Sequence, residues 1–216
     1  MKLNIKIPSS LKEITLRQYK RYLKLQETVK EERFLNAKMI EIFCNVKLQD
    51  VMLLKLNDSN EILSILSKLF ESKPSLVSKF KLNGLEYGFQ PQLDDLTLGE
   101  YIDLDTFIGD WDNMEKAMNV LYRPVLVKLK DKYSIEKYRP ETSDKLLDMP
   151  MDAAMSSIFF LWSLGLELSK TMTSSLVEEE GKALTQYLTS QKNGDGINQF
   201  SDSLKAILQD LKISQN

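Results

Sequence analysis

The sequence predicts an α+β fold that is predominantly helical and contains a small antiparallel sheet. Two observations lead to this prediction. The phrase LKEITLRQYKRYL at residues 11–23 returns as LDDLTLGEYIDLD at residues 93–105, and each copy carries a helix start. Between them, Asn83-Gly84 separates two alternating apolar segments, the strongest short-range signal for a two-residue β-hairpin. Most of the remaining chain has the apolar periodicity of helices.

The N-terminal segment predicts a strand followed by a capped helix. Residues 2–7 alternate apolar and polar side chains and stop at Pro8. Thr15 and Gln18 have the spacing of a capping box, and Ile14 with Tyr19 have that of a hydrophobic staple. We expect a helix over residues 16–28.

The second copy of the phrase predicts the same arrangement. Thr97 and Glu100 form the capping box, and Leu96 with Tyr101 form the staple. The hairpin around Asn83-Gly84 precedes this copy, as the N-terminal strand precedes the first. We expect the N-terminal strand and the hairpin to share one antiparallel sheet.

The other segments divide into helices and one extended stretch. Helices are predicted over residues 31–44, over residues 58–73 with a capping box at Asp58 and Glu61, over residues 113–122, after Pro150, and over residues 176–190. Residues 126–138 suit a strand or an extended arm. The final segment forms a heptad seam of Ile197, Phe200, Leu204, Ile207 and Leu211. We predict a mixed domain over residues 1–150 and a helical part over residues 151–216 on the same core.

Composition narrows the possible functions. The 216 residues carry a net charge of −2, which gives no overall bias toward nucleic acid. There is one cysteine and no histidine, so the commonest general base and metal ligand are missing. No signal peptide is expected. The apolar run at residues 153–166 is shorter than the ~20 residues of a membrane span, so we expect a buried helix.

Candidate metal and nucleophile sites do not fit their motifs. Residues 93–115 hold eight acidic side chains and no basic one, but no register gives the ligand spacing and central glycine of a calcium loop. The segment QKNGDGINQFSD at residues 191–202 fits a helix–helix turn better than a calcium site. Cys44 has no histidine to activate it and lies in an apolar stretch. We therefore predict no enzyme activity, no metal, no cofactor and no small-molecule substrate.

Two oppositely charged segments are the candidate interaction site. The basic group lies on the first predicted helix and consists of Arg17, Lys20, Arg21 and Lys24. The acidic group follows the second phrase and consists of Asp103, Asp105, Asp110 and Asp112, with Trp111 as a candidate apolar anchor. The two groups could steer one copy onto the next, or pair within one chain. Trp111 could equally cover the local core.

Two stretches resemble proteins of tailed bacteriophages. They are IPSSLKEITLRQYKRYLKL and GLEYGFQPQLDDLTLGEYIDLDTFIGDWDNMEKAMNVLYRPV, and the first is also similar to the start of small tail or baseplate assembly proteins. The resemblance covers residues 1–25 and 84–151, and the chain departs from the baseplate proteins in its greater length and its second copy of the phrase. It implies a virus-encoded structural or assembly role.

The expected function is therefore a non-enzymatic component of the phage head–tail or tail region, acting through protein–protein contacts in a homo-oligomer such as a ring. Its partners would be other phage structural proteins, and its location the virion or the host cytoplasm during assembly. Two alternatives remain: a transient assembly chaperone, and a nucleic-acid or regulatory binding protein that uses the basic group, Arg17 to Lys24.

Overall fold

The structure, a computed structural model, describes residues 5–130 and 132–178, with side chains up to residue 167. The predicted fold class is confirmed: this part of the chain is mostly helical and holds a four-stranded antiparallel sheet. The helices are α1 (Leu16–Thr28), α2 (Glu32–Phe43), α3 (Leu48–Val51), α4 (Leu56–Glu71), α5 (Leu98–Phe107), α6 (Met114–Leu121) and α7 (Met151–Glu178). The strands are β1 (Lys79–Leu82), β2 (Leu85–Phe89), β3 (Tyr122–Leu129) and β4 (Lys132–Ile135).

Both copies of the repeated phrase begin a helix with a complete capping box, as predicted. At α1, the Thr15 amide donates to Gln18 Oε1 over 2.9 Å, and Thr15 Oγ1 accepts from the Gln18 amide. At α5, Thr97 and Glu100 exchange the same two bonds. The copies differ in the staple, because Tyr19 is buried whereas Tyr101 is exposed. The phrase therefore specifies the helix start but not the packing of the first turn.

The Asn-Gly turn forms the predicted hairpin. Asn83 and Gly84 have φ angles of 50° and 79°, the positive values that a tight hairpin turn between right-twisted strands requires. Leu82 and Leu85 pair on either side of the turn. The sheet has the order β1-β2-β3-β4, with every neighbouring pair antiparallel.

The predicted N-terminal strand is not in this sheet over the part that the structure describes. Residues 5–8 have no strand structure, and residues 2–4 lie outside the described residues. Ile5 and Ile7 pack against the core without pairing with a strand. The alternating apolar pattern shows only that one side of the segment is buried, and this segment buries that side without joining a sheet. The sheet is completed by β3 and β4 instead. Residues 126–138, predicted as a strand or an extended arm, therefore contribute to a β-hairpin.

Helix α4 begins earlier than its predicted capping box. Its N-cap is Lys55, which makes no side-chain cap, and Asp58 lies in the first turn rather than before it. There the carboxylate is favoured by the helix dipole, which explains the misleading pattern. The structure confirms a helix after Pro150, and α7 continues through residues 176–178 of the separate helix predicted at 176–190. The rest of that helix, the NGDG turn and the heptad seam lie outside the described residues.

The starts of α1 and α7 are held together by backbone hydrogen bonds. The Leu16 amide donates to the Met149 carbonyl over 3.0 Å, and the Met151 amide donates to the Ile14 carbonyl over 2.8 Å. The first turns of α7 are in the centre of the core, where Met151, Ala153, Ala154 and Ile158 are fully buried. Residues on both sides of position 150 thus share one core.

A glycine on β2 makes room for an aromatic ring from β4. The Tyr133 hydroxyl donates to the Phe89 carbonyl over 2.7 Å, so its ring must cross Gly88. A Cβ at Gly88 would lie 2.4 Å from Tyr133 Cε2 and 3.0 Å from Val125 Cγ2. The absence of a side chain at Gly88 therefore allows the β3–β4 hairpin to lie against β2.

We predict that Gly88→Ala lowers the free energy of unfolding by about 1–3 kcal/mol, because the tethered Tyr133 ring cannot move away without losing its hydrogen bond. Gly99→Ala is the matched control: no atom lies within 4 Å of its added Cβ. In a helix this change is expected to stabilise by about 0.5–1 kcal/mol. Urea denaturation midpoints measure both variants, and equal effects would contradict the role given to Gly88.

Candidate protein-interaction site

Two cations of the basic group pair with the acidic segment inside the same chain. Lys20 forms an ion pair with Glu115 and also donates to the Asp112 carbonyl over 2.9 Å. Lys24 Nζ lies 2.9 Å from Asp112 Oδ1. The structure thus provides the in-chain pairing that the sequence left open, and it does so through Asp112 and Glu115.

The two pairs differ in burial and hence in energetic weight. The side chains of Lys20 and Glu115 are 12% and 9% exposed, so each would be a costly charge without the other. Those of Lys24 and Asp112 are 63% and 61% exposed, and an ion pair so open to water contributes little. Lys20 is the cation that attaches α1 to the acidic segment.

The other two cations of the basic group pair with residues outside the acidic segment. Arg17 donates two hydrogen bonds to Asp148, at 2.7 and 3.1 Å. The hydrogen bond from Arg17 holds the pKa of the Asp148 carboxyl below its ordinary value. Arg21 Nη2 lies 3.3 Å from Oε1 of Glu41 on α2. All four cations of the basic group therefore have an acidic partner within the chain.

Trp111 packs against α1. Its ring lies edge-on to Tyr19 with centroids 5.0 Å apart, and the side chain is half-buried. The indole Nε1 is buried and has no hydrogen-bond partner among the described residues. This position supports the alternative in which Trp111 covers the local core.

The remaining acidic residues have separate structural roles. Asp103 accepts a hydrogen bond from the Tyr138 hydroxyl over 2.7 Å, and burial together with this carboxylate raises the pKa of Tyr138. Asp110 caps a 3-10 turn by accepting from the Asp112 amide over 2.8 Å. Asp105 keeps one buried carboxylate oxygen without a partner in the described part of the chain. Among the residues that the structure describes, no three acidic, cysteine or histidine side chains form a group that could hold a metal ion.

A buried ionic cluster was missed by the sequence analysis. Arg123 donates to Glu100 Oε1 over 2.6 Å and to Gln90 Oε1 over 2.9 Å. All three side chains are buried, so the cluster joins α5 to β3 and to the end of β2. The sequence identified Glu100 only as a capping residue, and no local spacing connects residues 90, 100 and 123.

The same carboxylate serves both the cap and the ion pair. Glu100 Oε2 accepts from the Thr97 amide while Oε1 accepts from Arg123. Burial alone raises the pKa of Glu100, but the hydrogen bonds from Thr97 and the charge of Arg123 outweigh it and leave the pKa below 4.5. Glu100 is therefore ionised at neutral pH, and both of its carboxylate oxygens accept hydrogen bonds.

Cys44 is a buried side chain directly after α2. Burial raises the pKa of its thiol to about 11, so the thiol stays protonated at neutral pH. A protonated and buried thiol is a poor nucleophile.

Large apolar side chains are exposed in groups at three places in the described part of the chain, and Leu85 is exposed singly. We call the first group the α5 stripe: Leu98, Tyr101 and Ile102. We call the second the hairpin patch: Leu126, Val127 and Leu129, all on β3. The third is the corner between α3 and α4, with Met52, Leu53 and Leu56. Groups of exposed apolar side chains are characteristic of protein interaction sites.

We predict that Glu100→Gln lowers the free energy of unfolding by about 3 kcal/mol at neutral pH, since it leaves the Arg123 charge buried without a counter-ion. The folded-state pKa of Glu100 is lowered, so the contribution of its carboxylate is complete above pH ~4.5 and is lost as pH falls through the folded value. The difference in unfolding free energy between Glu100→Gln and the wild type should therefore become smaller as the pH falls. Exposed Glu61 provides the control, because Glu61→Gln should show no such pH dependence. A difference that stays constant down to about pH 3 would contradict the assignment.

We predict that Lys20→Met costs about 3 kcal/mol of unfolding free energy, because it leaves Glu115 buried without its cation. Adding Glu115→Leu should recover most of the loss, since it removes the unpaired charge. Lys24→Met, at the exposed pair, should cost less than about 1 kcal/mol. A double-mutant cycle by urea denaturation measures the coupling, and simple additivity of the Lys20 and Glu115 changes would refute it.

Comparisons of the chain with protein-family models, curated proteins and solved structures give no match. Among the helices of the described residues, none has both the length and the apolar character needed to cross a bilayer.

Proposed function

We propose that the chain is a non-enzymatic protein that acts through protein–protein contacts, as a structural component of a tailed-phage particle. The observation that supports this most is the α5 stripe. Leu98 and Ile102 are 75% and 52% exposed on a helix whose other side carries the buried residues Glu100 and Leu104. An apolar stripe on a rigid helix is a surface suited to a partner.

The ionisable side chains also favour binding over catalysis. The buried charged groups of the described part are paired with each other, as Lys20 is with Glu115 and Arg123 with Glu100. Such pairs hold secondary-structure elements in place. The basic group is likewise engaged by carboxylates, which weakens the alternative of nucleic-acid binding.

The phage assignment is supported by the resemblance of residues 1–25 and 84–151 to phage proteins. The second stretch includes α5 and β3, which carry both the α5 stripe and the hairpin patch. We propose the head–tail or tail region as the place of action, other phage structural proteins as partners, and the virion or the host cytoplasm as the location.

Quantitative mass spectrometry of purified particles of a phage that encodes the chain tests the proposal. A structural subunit is expected at constant stoichiometry in finished particles. Presence only in assembly intermediates would replace the proposal with an assembly chaperone. Absence from both, with salt-dependent retention on DNA, would replace it with a nucleic-acid-binding function.

We predict that the double variant Leu98→Ser and Ile102→Ser lowers the amount of chain in particles, because it removes the apolar contact of the α5 stripe. The double variant Leu53→Ser and Leu56→Ser removes equally exposed leucines from the α3–α4 corner and serves as the matched control. Circular dichroism establishes that each variant is folded. Equal incorporation of the two variants would contradict the role of α5.

A further inference from the structure

The α5 stripe is flanked by carboxylates that lack ionic partners. Leu98, Tyr101, Ile102 and Asp105 recur at helical spacing and share one side of α5. Asp94 and Asp95 are exposed just before the helix and, like Asp105, have no ion pair among the described residues. The α5 side thus combines an apolar stripe with acidic ends.

The hairpin patch has the opposite charge. β3 pairs with β2 only at Tyr122, Arg123 and Pro124, and beyond Pro124 it pairs with β4 alone. Lysines accompany the patch at the tip of the hairpin: Lys132 is the strand partner of Leu129, and Lys130 lies in the turn. Both are exposed and have no ion pair within the described residues, whereas Lys128 pairs with Glu86. In the sequence, Asp131 reduces the net positive charge but leaves it positive.

The two surfaces also match in length. Residues 98–105 cover about 10 Å along a helix at 1.5 Å per residue. Residues 126–129 cover about 10 Å along a strand at 3.3 Å per residue. An apolar contact along this length would place the lysines at the tip of the hairpin beside aspartates at one end of the α5 stripe.

The two surfaces do not cover each other within one chain. Leu98 and Leu129 remain 75% and 73% exposed. The base of the hairpin is fixed to α5, because Tyr138 bonds to Asp103 and Arg123 bonds to Glu100. A hairpin fixed at this end is not free to fold over α5, so a contact between the surfaces needs two chains.

We propose that the hairpin patch of one copy binds the α5 stripe of a second copy, with Lys130 and Lys132 facing the aspartates around α5. This inference rests on the proposed function and identifies the partner as the chain itself. Reciprocal contacts would close a two-fold dimer. Head-to-tail contacts would form a ring where the rotation between copies closes and a filament where it does not.

Charge reversal tests the contact. The hairpin variant carries Lys130→Glu and Lys132→Glu, and the helix variant carries Asp94→Lys and Asp95→Lys. Sedimentation at an ionic strength of about 0.05 M, where the Debye length exceeds ~10 Å, gives the association constant. Each variant alone should associate roughly tenfold or more weakly than wild type, because attraction becomes repulsion.

Mixing the two variants gives the decisive result. A reversed hairpin meets a reversed helix with opposite charge, and the unreversed surfaces also remain complementary, so a 1:1 mixture should regain association. The control variant Lys30→Glu and Lys47→Glu changes the same number of exposed lysines elsewhere and should associate as wild type does. A mixture no stronger than its components would overturn the pairing.

Two further results separate this inference from the proposed function. The double variant Leu126→Ser and Leu129→Ser should also abolish self-association while leaving a folded chain. A wild-type chain that stays monomeric at all concentrations overturns the inference, even if mass spectrometry finds the chain in particles. Absence from particles with intact self-association overturns the phage role and leaves the contact between copies standing.

Discussion

The ion pair between Lys20 and Glu115 is the constraint on which the arrangement of the surfaces depends. It lies in a largely dry setting, where either charge alone would be unfavourable, and it brings α1 against the start of α6. Trp111 packs on Tyr19 beside it, and Lys24 reaches Asp112 at the exposed rim. The basic group of the first phrase is thereby paired within its own chain.

A second buried ion pair, between Arg123 and Glu100, holds α5 against the sheet. Arg123 leaves the start of β3 and meets Glu100, which the capping box already holds in one orientation. The helix start, the ion pair and Gln90 form one connected cluster, so α5 cannot rotate to bury its apolar stripe. Leu98 and Ile102 are therefore exposed because the buried ion pair between Glu100 and Arg123 holds the other side of α5 against the sheet.

These two buried ion pairs divide the charged side chains into two classes. Buried or well-paired groups determine the fold, whereas Asp94 and Asp95 before α5 and Lys130 and Lys132 at the hairpin tip have no ion pair in the described residues. Weakly paired charges beside exposed apolar side chains are the composition expected of an interface rim. A protein built to bind needs such surfaces on rigid elements, and α5 and the β3–β4 hairpin both provide them.

The sequence by itself determined the local structure: both capping boxes at Thr15 and Thr97, the Asn83-Gly84 hairpin and the helix after Pro150. These features depend on hydrogen bonds between residues a few positions apart, so spacing reveals them. Only the tertiary structure decided which strands complete the sheet, that Lys20 meets Glu115, and that Arg123 meets Glu100. The two ion pairs join residues 95 and 23 positions apart, and their energies depend on burial, which is a property of the assembled core.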